Sequence, residues 1–117
     1  MLDWRPMLRP MPSVAVLGTL THDTTVYPDG SRSENLGGLH YALLTLAHLF
    51  EGRARIQPVV NVGADVWDEV RAALDLPGMD HSFLRRVPEP NNHVFLTYRS
   101  AEEREEILVG LVPPVGW

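Results

Sequence analysis

The chain has 117 residues, of which 44% are hydrophobic and 21% charged, the make-up of a globular domain large enough to hold its own core. Its 10 basic and 15 acidic residues give a net charge of −5 without a Lys/Arg stripe, which argues against a nucleic-acid partner. Absent cysteine removes disulfides and thiolate metal sites, and no apolar run nears the roughly 20 residues of a membrane helix.

Residues 1–12 lack the apolar stretch of a signal peptide and read as an N-terminal extension to one domain over 13–117, with a cytoplasmic setting expected. From Ser13 to Leu20 the chain is apolar and ends in small residues, as a fully buried strand does. His22 and Asp23 follow at its carboxyl end, where open α/β sheets place ligands. Thr24 to Tyr27 is weakly alternating, Pro28-Asp29-Gly30-Ser31 is a turn, and Ser33 to Leu36 returns as a short strand, together a surface hairpin. Gly37 and Gly38 then open a helix over Leu39 to Phe50. Two glycines there let a ligand approach the backbone closely, with first-turn N–H groups aimed at it. The helix is apolar almost all round, which predicts packing on more than one side, and Gly52 is placed as its C-cap. His40, near the helix start, reads as structural ahead of a ligand contact.

Arg55 to Val62 is the next strand, with Ile56, Val59, Val60 and Val62 apolar, and Pro58 is expected early in the strand or at an edge of the backbone pairing. Asp65 reads as the cap of a helix over Val66 to Leu74, not as a catalyst. Pro77-Gly78 ends that unit. Strands over residues 80–89, His93 to Arg99 and Glu105 to Val112, joined by polar turns, predict a meander of three antiparallel strands. Alternation places Val94, Leu96 and Tyr98 on one face of the middle strand, and Val26 is expected to join them.

Gly18 followed by His22-Asp23, then Leu36-Gly37-Gly38 opening a helix, then Asn61-Val62-Gly63-Ala64-Asp65, resembles the amino-terminal part of the ribokinase-like (PfkB-type) sugar and nucleoside kinases over about residues 13–112. The resemblance implies a three-layer α/β fold with a mainly parallel core sheet and an antiparallel β lid, its lid strands over about 24–36 and 85–112. It implies that Asp23, Gly37 and Gly38 bind substrate hydroxyls, with His22 and Asn35 beside them. Ala42 stands where many relatives carry Asn, and Leu39, His40 and Tyr41 replace small residues after the glycines. Such kinases carry their catalytic Asp in a G-A-G-D motif near the carboxyl end, in the half that holds ATP, and the present sequence has no such motif. No catalytic residue, ATP or Mg site is therefore expected within it, and phosphoryl transfer by the chain alone is not expected. It reads either as the substrate-binding and lid portion of a kinase or as a non-catalytic small-ligand-binding or assembly protein of the same lineage. The expected partners are a sugar or nucleoside and a second copy, joined through the lid.

Other chemistry has little support. The histidines at 22, 40, 48, 81 and 93 show no zinc-ligand spacing, and neither a G-x-x-x-x-G-K-[ST] loop nor a G-x-S-x-G elbow is present. Glu102, Glu103, Glu105 and Glu106 read as a solvated turn and strand start, so no metal site is assigned.

Overall fold

The computed structural model of the chain describes residues 11–110, 112, 113, 115 and 116. The expected extension over 1–12 lies outside them, apart from Met11 and Pro12. The elements are β1 (Ser13–Leu17), β2 (Leu20–Val26), β3 (Arg32–Gly38), α1 (Leu39–Phe50), β4 (Arg55–Gly63), α2 (Trp67–Ala73), β5 (Leu84–Val87), β6 (His93–Tyr98) and β7 (Arg104–Val109). Short 3-10 turns at Ala64–Val66 and His81–Phe83 precede α2 and β5. They build two sheets: a three-stranded parallel core in the order β1-β4-β5, and a four-stranded sheet in the order β3-β2-β6-β7. The second sheet is antiparallel except for its central pair, β2 and β6, which run parallel.

Two parallel crossovers that step in the same direction across a sheet, each right-handed, leave their helices on one face. The burial agrees. Leu39, Leu43 and Ala47 of α1 and Val70 of α2 share one apolar cluster with Ile56, Val60 and Val62 of β4. The described residues thus form the sheet and one helical layer, and the other face of β1 is open, with Leu17 65% exposed. The projecting second sheet makes the molecule elongated. Its radius of gyration is 17.6 Å, against roughly 13 Å for a compact domain of this length.

Several expectations change. The strand expected over Ser13–Leu20 is broken at Gly18-Thr19, where the chain leaves the core sheet, so His22 and Asp23 lie inside β2 and not at the end of β1. Pro58 lies in the first half of its strand, ahead of the β5 ladder, although that strand is the central one of the core sheet and not an edge. Ile56 N–H bonds Gly78 and its carbonyl receives Asp80 N–H, so the even positions of β4 face the β5 side. Pro58 follows two residues later, opposite the 3-10 turn His81–Phe83, where the β5 ladder has not yet begun and the missing N–H leaves no gap. Helix α1 is packed along one face only, and Tyr41, Leu44 and Leu49 on its outer side are 57%, 39% and 61% exposed. Its C-cap is Glu51, at φ 49°, with Gly52 one residue beyond. Asp65 caps no helix, because its carboxylate is taken by the N–H of Asn91. The three-stranded meander does not form, since β5 joins the core sheet parallel to β4 and only β6 and β7 pair antiparallel.

Leu43 is fully buried, whereas Leu49 is largely exposed. Leu43→Ala is expected to cost about 2–5 kcal/mol in urea unfolding, and Leu49→Ala no more than about 0.5 kcal/mol. Comparable losses would mean that both faces of α1 are packed.

Candidate functional site

Strand periodicity and register decide which side chains meet on the second sheet. Asp23 pairs with Asn35 on one side and Val94 on the other, and Val94 pairs with Leu108. Asn35, Asp23, Val94 and Leu108 therefore form one row across a single face. The next row on that face is Ser33, Thr25, Leu96 and Glu106. The face is polar over β3 and β2 and apolar over β6, while β7 adds Leu108 at its end and Glu106 in its middle. Tyr27 and Tyr98 stack beyond it, with ring centroids 6.1 Å apart. Val26 pairs with Arg32 and Thr97 on the opposite face and so does not join Val94 and Leu96 as expected.

The Asp23 carboxylate is hydrogen-bonded through one oxygen and packed over Gly37 with the other. Thr21 Oγ1 donates to Asp23 Oδ1 at 2.7 Å. The other oxygen, Oδ2, lies over Gly37, where a Cβ would fall only 2.0 Å from it. Any side chain at position 37 would displace the carboxylate, so this glycine serves the seating of Asp23. Gly38 has φ 61°, and a Cβ there would lie 2.4 Å from the Thr19 carbonyl oxygen. That close approach lets Leu39 N–H donate to the same carbonyl at 2.9 Å and starts α1. In the direction a side chain would take, the space at the two glycines is used by the chain's own carboxylate and carbonyl.

Of the residues singled out from sequence, Asp23, Asn35 and Gly37 come together. Gly38 forms the turn into α1. His22 does not join them, because one step along a strand reverses the face. It stacks on His93 at 4.5 Å, with Glu34 3.9 Å away. His93 in turn stacks on Phe95 at 4.1 Å and is hydrogen-bonded to the buried Thr24, Nε2 to Oγ1, at 2.6 Å. Burial and the neighbouring His22 lower the His93 pKa below its ordinary value, while Glu34, Asp23 and Asp65 oppose the shift. His40 Nδ1 is buried without a hydrogen-bond partner, and the His40 ring lies 6.3 Å from that of Tyr41. Thr21 went unmarked in the sequence, although its spacing of two from Asp23 places it on the same strand face. Asn91, buried between the two sheets, carried no signal beyond a turn. Among the described residues no group of three or more His, Cys, Asp or Glu side chains converges as a metal site requires. No helix among them is long and apolar enough to cross a membrane.

No protein-family model and no curated protein matches the sequence. Solved structures do. The chain superposes on Arabidopsis thaliana ribokinase complexed with ribose and ATP with a TM-score of 0.65 at 19% identity, over 86% of this chain and 36% of that one. Halothermothrix orenii fructokinase gives 0.67 at 14% identity, over 83% and 37%. Burkholderia thailandensis nucleoside kinase in complex with inosine gives 0.65 at 12%, over 85% and 35%. The chain has the ribokinase-like fold, and it spans about a third of the length of the kinases it matches.

Gly37→Ala is expected to destabilise the fold by about 1–3 kcal/mol through overpacking. In an Asp23→Ala background the loss should shrink by at least about 0.5 kcal/mol, the scale of coupling between groups in contact. Strictly additive losses in denaturant would show that the carboxylate does not fill that space.

The depressed His93 pKa fixes the sign of a pH effect. Above about 6.5 the ring is neutral in both states and contributes fully. As pH falls the unfolded chain takes up the proton first, so stability drops from there through the lower folded value. Between pH 7.5 and 5 (assay conditions), His93→Gln is expected to lose less stability in urea titration than the parent does. An equal loss would count against the assignment.

Proposed function

We propose that this chain is the hydroxyl-binding and lid portion of a sugar or nucleoside kinase. The observation that supports it best is the row Asn35–Asp23–Val94–Leu108, with Asp23 Oδ2 seated over Gly37 and Oδ1 already held by Thr21. A carboxylate with one oxygen fixed and the other open accepts a hydroxyl hydrogen bond without first reorganising, and charge-assisted bonds are the stronger kind. Asn35 adds an amide donor and acceptor beside it. Val94 and Leu108 offer an apolar surface on which the carbon face of a sugar ring can rest while the sheet excludes water. The matched kinases include structures with ribose and with inosine, which agrees with this choice of ligand class. In this reading the chain holds and covers substrate. Phosphoryl transfer requires a positioning carboxylate and charge stabilisation around the moving group, and those groups are assigned elsewhere.

A second reading, an assembly protein of the same lineage, is favoured by the apolar side chains left open on the same sheet. Ile107, Leu108 and Val109 of β7 are 52%, 63% and 50% exposed. Alternation puts Leu108 on the face of Val94 and Leu96, and Ile107 and Val109 on the opposite one. Exposed apolar side chains on the Val94 face favour an interaction there, and a two-fold pair through the sheet is the simplest closed arrangement.

Calorimetric titration with a panel of pentoses, hexoses and nucleosides separates the two. Binding is expected, and Asp23→Ala should weaken it by about 1.5–3 kcal/mol, the range for a hydrogen bond to a charged group. A folded Asp23→Ala protein with unchanged affinity refutes the site. For the assembly reading, light scattering should show a dimer that Leu96→Glu dissociates. A monomer at every concentration, or a dimer indifferent to that change, removes the lid as the interface.

A further inference from the structure

We propose that Asn91 and Asn92 form the latch that fixes the angle of the lid sheet over the end of the core sheet, with Asp65 as its anchor. Asn91 is 6% exposed and lies between the two sheets. Its side-chain Oδ1 accepts from Gly63 N–H, at the end of β4, at 3.0 Å. Its Nδ2 donates to the carbonyl of Leu20, at the start of β2, at 2.9 Å, and to that of Asn92 at 3.1 Å. The Asn91 N–H donates to Asp65 Oδ1 at 2.9 Å. Asn92 extends the set: its carbonyl accepts from His22 N–H at 2.9 Å, and its Oδ1 from Val112 N–H at 3.2 Å. Two consecutive residues thus tie together the last core strand residue before α2, the first lid strand, and the chain returning from β7.

Close approach confirms that the latch is built in. A Cβ on Gly63 would fall 2.2 Å from the Asn91 nitrogen, so the strand end admits Asn91 only because position 63 has no side chain. The sheets also touch through apolar groups, Leu20 and Leu36 of the lid sheet lying in the common core cluster. Hydrophobic contact is non-directional and sets no angle. Hydrogen bonds weaken steeply as their geometry bends, so the angle is theirs to set. Breaking them should release the lid as a separate opening unit, leaving the core sheet intact. The latch sets how the second sheet, and with it the Asp23 row, stands relative to the end of β4, and it acts whichever ligand the site takes.

Asn91→Asp is the sharpest probe. It keeps the acceptor for Gly63 N–H and nearly the same shape, but removes the donor and sets a carboxylate against the Leu20 carbonyl. Hydrogen–deuterium exchange of the whole chain is expected to show the amides of β2, β3 and β6 exchanging at least about tenfold faster, since losing about 1.4 kcal/mol of local stability is tenfold. The amides of β4 should keep their protection. Loss spread equally over both sheets would make Asn91 a general stabiliser and overturn the proposal, as would unchanged exchange. Asp65→Ala, at an exposed position, keeps the test valid should Asn91→Asp fail to fold. It removes only the anchor, and it must show the same lid-selective pattern at smaller amplitude; uniform or absent change again overturns the latch.

Discussion

One chain builds two sheets and must cross repeatedly between them, and each crossing ends a strand and strands its polar backbone groups. Buried N–H and carbonyl groups left without partners cost roughly as much as a lost hydrogen bond. The seam between the sheets is organised around that constraint. Thr19 carbonyl takes Leu39 N–H where the chain returns to α1, and Asn92 carbonyl takes His22 N–H. Asn91 supplies an acceptor and two donors from one side chain. Asn61 Nδ2 reaches the carbonyl of Pro113 as the chain comes back from β7. The positions of Gly38 and Gly63 follow from the same crowding, because both lie where backbones meet too closely for a side chain.

What was legible in the sequence is what local rules decide. The helix runs over Leu39–Phe50 as read, because a positive-φ glycine precedes it and an apolar stripe carries it. The hairpin around Pro28–Ser31 and the two faces of β6 follow from turn chemistry and alternation. What was not legible is the choice of partner. Leu84-Arg85-Arg86-Val87 has no clear period, and only tertiary packing puts Leu84 and Val87 beside β4 instead of beside β6. Asp65 stood where an N-cap stands, but a backbone N–H from a turn 26 residues onward claims its carboxylate. A polar Asn in a Pro-rich turn carries no local sign that it will be buried.

The site divides in the same way. Asp23 follows an apolar run that the sequence shows, and Asn35 and Gly37 come to it through the β2–β3 register. His22 was drawn in by adjacency in sequence, yet a strand sends neighbours to opposite faces, and it sits instead in a ring stack with His93 and Phe95. At the double glycine the direction a side chain would take is occupied by the Asp23 carboxylate and the Thr19 carbonyl, so Gly37 also shapes the seat of that carboxylate.

The same geometry links folding to whatever covers the molecule. Most elements bury one side only. Helix α1 shows Tyr41, Leu44 and Leu49 outward, β1 shows Leu17, and β7 is exposed along its whole length. Parallel sheets are ordinarily covered on both faces, whereas among the described residues the core sheet has helices on one face, so a cover on the other would add burial. Any species that binds the folded chain and not the unfolded one raises its stability by mass action. A ligand on the Asp23 row would also bridge β3, β2 and β6, the strands whose placement depends on the Asn91 seam. Occupancy of the face and order of the second sheet would therefore reinforce each other, because each fixes the same strands from a different end.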